Sequence, residues 1–294
     1  MSLSKKSIFS ILLITPLLIG AQFWYKKPKT IRFSYEELQA FREDLRPLLD
    51  VIASGEGDYT SVNRGRAGDS QGDWAKAHIG KSITEMTLAE LRAHQGGRDS
   101  SCWYKGKKGE HGLYAVGRYQ LIPCTLQLAT TQIEELDMDL LYSPEVQDTF
   151  GVYLILVKRP KVRDYLSGLS NKHKEAGQEL AKEFASIPIQ YSNGRCNRGQ
   201  SYYCGDSAGN KAHIELKDIN KAMRQVRRDM KRKGDLRLLI SEKETLRMKI
   251  KRWWNDRFQK KEEPRLLEDT GDIETMDQAS ETQEINPRIS PTEE

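Results

Sequence analysis

Leu38, Phe41, Leu45, Leu49 and Ile52 recur at intervals of three and four, and the next step of four along that face lands on Glu56. In a helix these intervals define one buried stripe. A carboxyl at the end of an apolar stripe is poorly solvated as an anion, so its pKa rises and it keeps its proton near neutral pH. Such a group can protonate an oxygen leaving group that departs poorly by itself. Gly55 and Gly57 flank it and leave room for a bulky substrate. A glutamate at a helix end is more often merely solvated. Its place on the stripe, between two glycines, makes Glu56 the candidate catalytic acid.

Other chemistries find less support. His78, His94, His111, His173 and His213 are scattered, without the i, i+4 helical pair of a metalloprotease, so no metal and no cofactor is expected. Ser54 lies near Glu56 but lacks the Gly-x-Ser-x-Gly turn that exposes a nucleophilic serine. Four cysteines allow three pairings. Cys102 with Cys124 and Cys196 with Cys204 each bound a local loop, and these are the expected disulfides of an oxidising compartment. No pair has the spacing of a zinc site.

The elements that must position Glu56 follow from local signals. Ser34 and Glu37 have capping-box spacing and open a helix running towards Ile52, with Pro47 expected to kink or split it. Residues 58–68 are short and turn-rich and read as a small hairpin. Residues 82–95 read as a helix capped by Thr84, with Met86, Leu88 and Leu91 on one face. Residues 96–112 form a long polar loop, of a length that usually has a function. Residues 113–120 read as irregular, Pro123 opens a helix through Leu128, and 146–157 and 177–186 read as further helices. Residues 188–210 form a second loop rich in Gly and Asn.

The two ends differ from this body. Lys5 and Lys6 precede nineteen uncharged residues, Ser7 to Tyr25, and Lys26, Lys27 and Lys29 follow them. That run lies between a signal peptide and a membrane-spanning helix in length, with Trp24 and Tyr25 suited to an interface. The anchor is the preferred reading, and a cleavable signal ending at Gly20-Ala21 is the other. At the far end, residues 262–294 hold eleven acidic residues against Arg265 and Arg288, a net −9 that leaves +14 on the rest of the chain. A composition of 37% hydrophobic and 30% charged residues is too polar for one compact globule, and this acidic tail is expected to be disordered. Residues 217–261 are basic and helix-favouring, with Leu236, Leu239, Leu246, Ile250 and Trp253 at roughly helical spacing. A solvated helix, or one lying on anionic lipid through Trp253 and Trp254, is expected there.

One combination of segments points to a family. Ile52-Ala-Ser-Gly-Glu56-Gly, with Tyr59 and Asn63 after it, and Ala115-Val-Gly-Arg-Tyr-Gln-Leu-Ile-Pro123 resemble the lysozyme superfamily, in particular phage endolysins and lytic transglycosylases. Met86-Thr-Leu-Ala-Glu-Leu, Glu183-Phe-Ala-Ser-Ile-Pro, Ser201-Tyr-Tyr and Gly209-Asn-Lys are similar to the same enzymes, so the resemblance covers residues 33–212. It implies an α+β, mainly helical fold with a small sheet. It also implies cleavage of the β-1,4 bond between N-acetylmuramic acid and N-acetylglucosamine in peptidoglycan, with Glu56 as the acid.

Tyr119 is assigned to packing on a sugar face and Gln120 to bonding the N-acetyl group, with core packing and a satisfied turn as their other readings. Tyr59 and Asn63 border the cleft, and Tyr202 and Tyr203 form its far wall. Arg118 has two readings, a substrate contact or a local ion pair. A hydrolase needs a second carboxylate about 5–9 Å from the acid, for which Asp58, Asp69, Asp73 and Glu110 are candidates. The phage lysozymes with an Asp nine residues after the Glu are not matched, because that place is Gly65. A lytic transglycosylase manages with one carboxyl, since the sugar's own 6-hydroxyl attacks.

The resulting organisation is a signal anchor or signal peptide over 1–29, the catalytic domain over 30–215, a basic helical extension over 216–261 and the acidic tail over 262–294. The expected setting is a bacterial inner membrane with the body in the periplasm, or secretion if the signal is cleaved. Peptidoglycan and the membrane are the partners and nucleic acid is not, while the C-terminal extension offers a surface to other envelope proteins. The rival reading is a non-catalytic glycan-binding or scaffold protein that keeps the cleft.

Overall fold

A computed structural model describes residues 31–65, 68–96, 113–206 and 209–258. The expected anchor at 1–29, the loop with Cys102 and Glu110, and the acidic tail lie outside these residues. Among the described residues, no helix is long and apolar enough to cross a membrane. The fold is mainly helical with very little sheet.

Strand β1 (Phe33–Ser34) leads into helix α1 (Tyr35–Ala40), and the capping box forms as read from the sequence. The Ser34 hydroxyl accepts from the Glu37 amide at 3.2 Å, and the Glu37 carboxylate accepts from the Ser34 amide at 2.8 Å. The helix then splits, but at Phe41, and Pro47 lies inside the next helix, α2 (Arg42–Glu56). Restarting at Arg42 places Pro47 near the N-terminal end of α2, where its missing amide forfeits a single bond, to the Glu43 carbonyl. All five stripe residues from Leu38 to Ile52 are buried.

Strand β2 (Val62–Asn63) continues towards helix α3 (Trp74–Ile79), which the sequence reading did not anticipate. The expected hairpin at 58–68 exists only as a bridge between Asn63 and Asp69; the strand partner of β2 is β3 (Ala115–Val116), antiparallel to it. Residues 82–95 are not one helix. A 3-10 turn (Ile83–Glu85) precedes α4 (Leu88–His94), because Ser82 with Glu85 and Thr87 with Glu90 form two capping boxes in tandem, and Thr84 is not the cap. Pro123 opens α5 (Pro123–Gln132), which runs one turn further than expected, into β4 (Ile133–Glu134) parallel to β1. Helix α6 (Pro144–Tyr153) passes into a π-helical turn (Leu154–Lys158), followed by α7 (Pro160–Leu166) and α8 (His173–Glu183).

The C-terminal region differs most from expectation. Helix α9 (Leu216–Lys233) buries Ile219, Ala222, Met223, Val226 and Met230 and packs along α2. Gly234, with a left-handed φ of 82°, turns the chain into α10 (Asp235–Phe258), whose Leu236 and Ile240 are also buried. The chain divides into two compact units after Arg247, so most of residues 216–261 fall in the first unit. The unit beginning at Met248 exposes Met248, Ile250, Trp253 and Trp254. A disulfide joins Cys196 to Cys204, and Cys124 is also disulfide-bonded.

Helix α6 anchors the loops that form the site. The Asp148 side chain is 4% exposed. It accepts from Arg46 at 2.5 Å, from the Tyr119 hydroxyl at 2.8 Å and from the Tyr59 hydroxyl at 3.2 Å, with Arg118 Nε at 3.6 Å. Next to it the buried Gln147 amide donates to the carbonyls of Tyr59 and Tyr142 and accepts from the Arg118 amide at 2.8 Å. Gly117 has φ 72°, and a Cβ there would collide with Gln147 and the Tyr142 hydroxyl, so only glycine fits.

Breaking a buried ion pair from one side leaves the other charge uncompensated and costs about 3–5 kcal/mol. Asp148→Ala should therefore lower the unfolding free energy by about 3 kcal/mol in urea titration. A loss within about 0.5 kcal/mol, typical of surface changes, would show that the cluster holds nothing together.

Candidate active site

Glu56 is the last residue of α2, and the Gly57 amide ends the helix by donating to the Ala53 carbonyl at 3.0 Å. The carboxyl lines a cleft of about 710 Å³ whose other walls come from β2 and β3, the turn at 117–120, the end of α8 and residues 209–213. Glu56 Oε1 accepts from the Ser186 amide at 3.0 Å and from the Ser186 hydroxyl at 2.6 Å. Ser186 is itself held, since its carbonyl accepts from the amides of His213 and Ile214 at 2.9 and 3.1 Å. A Cβ on Gly55 would stand 2.6 Å from Ser186 Cβ and 2.9 Å from Ile214 Cγ1. The glycine before the acid therefore admits Ser186, which corrects the idea that it only clears space for substrate.

Burial is the main cause that pushes the Glu56 carboxyl above the ordinary carboxylate range. The Ser186 hydrogen bonds and the His213 charge pull it back, while the Glu183 carboxylate adds to the rise. Glu183 also lines the cleft and is ion-paired with Lys158 at 2.6 Å and Arg159 at 2.8 Å.

The expected substrate contacts fare unequally. Asn63, Gln120 and Asp69 line the cleft with Glu56. Asn63 donates to Asp69 at 2.7 Å, and Gln120 sits at φ 47° with its side-chain amide on the Gly117 carbonyl. Tyr119 also borders the cleft but is 3% exposed, and a Cβ on Gly151 would lie 2.9 Å from its ring. With its hydroxyl on Asp148 and its ring against α6, Tyr119 offers no face for a sugar and is a core residue. Tyr59 is not a cleft residue; it binds Asp148, with the Arg118 guanidinium 4.8 Å from its ring centre. Arg118 forms the local ion pair, with Asp50 at 2.5 Å. Of the two tyrosines expected on the far wall, Tyr203 lines the cleft and Tyr202 packs against the core.

The remaining carboxylates have local duties. Burial acts to raise the pKa of Asp58, but bonds from Thr60 and Ser61 outweigh it and hold the carboxylate low, in a turn of its own making. Asp73 caps α3 by accepting from the Lys76 amide. Glu110 lies outside the described residues. Asp69 is thus the one of the four candidates seen at the cleft among the described residues. Ser186, Glu183 and Lys211 lie in segments that carry the family resemblance and His213 among the scattered histidines, but none of the four had a role legible in the sequence. Among the described residues, no group of three or more His, Cys, Asp and Glu side chains could hold a metal ion.

The fold and site thus define a cleft with one partly buried acid, clamped by a serine. Comparisons with family models, curated proteins and solved structures find no match to this chain.

An acid with a raised folded-state pKa binds more protons when folded. Its contribution to stability is complete below the unfolded value of about 4.5 and is lost as pH rises through the folded value. Gln in its place keeps an oxygen for Ser186 and carries no charge. Glu56→Gln should match the wild type in denaturation midpoint at low pH and exceed it at neutral pH. A wild type that stays at least as stable as the variant up to neutral pH would show that Glu56 ionises without penalty.

Proposed function

We propose that the chain cleaves the β-1,4 bond between N-acetylmuramic acid and N-acetylglucosamine in peptidoglycan, with Glu56 as general acid. The observation that carries this is the position of Glu56, a carboxyl at the end of α2 whose pKa burial raises, lining a cleft of about 710 Å³. The resemblance of residues 33–212 to endolysins and lytic transglycosylases supports the choice of substrate. In the reaction Glu56 gives its proton to the glycosidic oxygen as the bond to C1 breaks. Glu183 is already paired with two cations and Asp69 already accepts from Asn63, which favours the route that needs one carboxyl. In that route the sugar's 6-hydroxyl attacks C1, Glu56 takes its proton back, and a 1,6-anhydro end results.

The same proposal sets the body outside a bacterial inner membrane, held by the uncharged run at 7–25. The exposed Trp253 and Trp254, preceded directly by Lys251 and Arg252, suit an anionic lipid surface.

Purified peptidoglycan digested by the exported portion should yield 1,6-anhydro ends in mass spectrometry. Glu56→Gln should lower the rate by roughly 10²-fold or more while the protein stays folded. A folded Glu56→Gln variant with near-normal digestion would sink the mechanism, and a wild type that binds glycan without releasing fragments would favour a glycan-binding protein.

A further inference from the structure

We infer that Ser186 is a positioning residue that decides which oxygen of Glu56 carries the transferable proton; this rests on Glu56 being the acid proposed above. A terminal carboxyl torsion is broad and roughly two-fold, so an unconstrained Glu presents either oxygen to its substrate. Here both Ser186 donors meet the same oxygen, Oε1, at 3.0 Å from the amide and 2.6 Å from the hydroxyl. An amide N–H can only donate, so Oε1 must accept in every protonation state. With its two lone-pair directions met by these donors, Oε1 has no favourable place for a proton of its own. The proton therefore resides on Oε2, which takes no hydrogen bond among the described residues.

This arrangement suits a group that acts twice. The Oε2 proton passes to the glycosidic oxygen while the C1–O electron pair leaves with that oxygen. The charge left on the carboxylate is steadied by the two donors already on Oε1, and Oε2 then receives the proton of the attacking hydroxyl as the new C1–O bond forms. No rotation of the carboxyl intervenes. The clamp is rigid on its far side as well, because the Ser186 carbonyl is tied to the amides of His213 and Ile214. Its footprint in the sequence is Gly55, where any side chain would push Ser186 away. The charged or titratable groups around Glu56 are His213 and Glu183, with Asp69 and Lys211 on the same cleft.

Ser186→Ala tests the assignment, since it keeps the amide and the Cβ and deletes only the hydroxyl. A hydrogen bond to a charged group is worth about 1.5–3 kcal/mol, so kcat should fall about ten- to hundredfold with KM nearly unchanged. The alkaline limb of the pH–rate profile should move to higher pH, because a donor to the anion is gone. Ser186→Cys, which restores a weak donor, should recover part of both. The Glu56 carboxyl resonance, labelled with carbon-13 and assigned by its loss in Glu56→Gln, should titrate at higher pH in Ser186→Ala. That shift is read on the whole folded chain without substrate, so it reports on the clamp even if the wild type releases no fragments, a result that would instead overturn the glycosidase reading. A kcat within twofold of wild type, or a lower kcat with the pH–rate profile and the carbon-13 titration both unmoved, would overturn the role given to Ser186.

Discussion

A carboxylate taken out of water costs several kcal/mol unless donors replace its hydration, and Asp148, 2% exposed, sets that demand in this protein. Its donors come from three places in the chain, Arg46 on α2, Tyr59 in the loop after it and Tyr119 in the turn at 117–120, where Arg118 adds an ion pair. Meeting the demand draws all three against α6. The neighbouring Gln147 repeats the arrangement with main-chain groups, taking one amide and giving to two carbonyls. The turn at 117–120 is thereby fixed on its core side, and Gln120 takes up a left-handed backbone facing the cleft. One wall of the site is thus a consequence of how a buried charge was satisfied.

Local features were legible in the sequence for local reasons. The Ser34–Glu37 box and the buried stripe depend on residues three or four apart, Pro123 at a helix start on its own ring, and all are found. The place of Glu56 at the end of that helix was legible the same way, by extending a helical period. The clamp on Glu56 was not, because its partner lies 130 positions on and nothing in the spacing of either residue announces the other. Asp148 was missed for the same reason, being 102 positions from Arg46 and 89 from Tyr59.

Aromatic residues misled in a specific way. Tyr59, Tyr119 and Tyr202 each have the ring a sugar would need, and each turns that ring towards protein. A tyrosine hydroxyl can satisfy a buried acceptor as readily as face solvent, and the sequence does not say which. Asp148 claims the hydroxyls of Tyr59 and Tyr119, which leaves Tyr203 as the tyrosine of the far wall. The basic stretch misled differently. Its abundant Lys and Arg concealed that Ile219, Met223, Val226 and Met230 recur at helical spacing on the opposite face of α9 and are buried.

That burial governs when the molecule can become itself during synthesis. The apolar face of α2 is complete once the ribosome has passed Glu56, yet α9, which packs along it, follows far later. The ion pair between Asp44 and Lys233 spans 189 positions. Non-local contacts of this kind are slow to form, because loop entropy must be lost before they return anything. Until α9 emerges, the part of α2 that packs on it stays uncovered, although α6 already covers another part, and such apolar surface is what chaperones recognise. Each of the larger α9 side chains adds about 1.5–3 kcal/mol on burial, so a chain lacking them all would forfeit most of an ordinary stability margin. The residues that line the cleft all precede α9, yet the helix that carries Glu56 gains its full packing only when α9 has followed them.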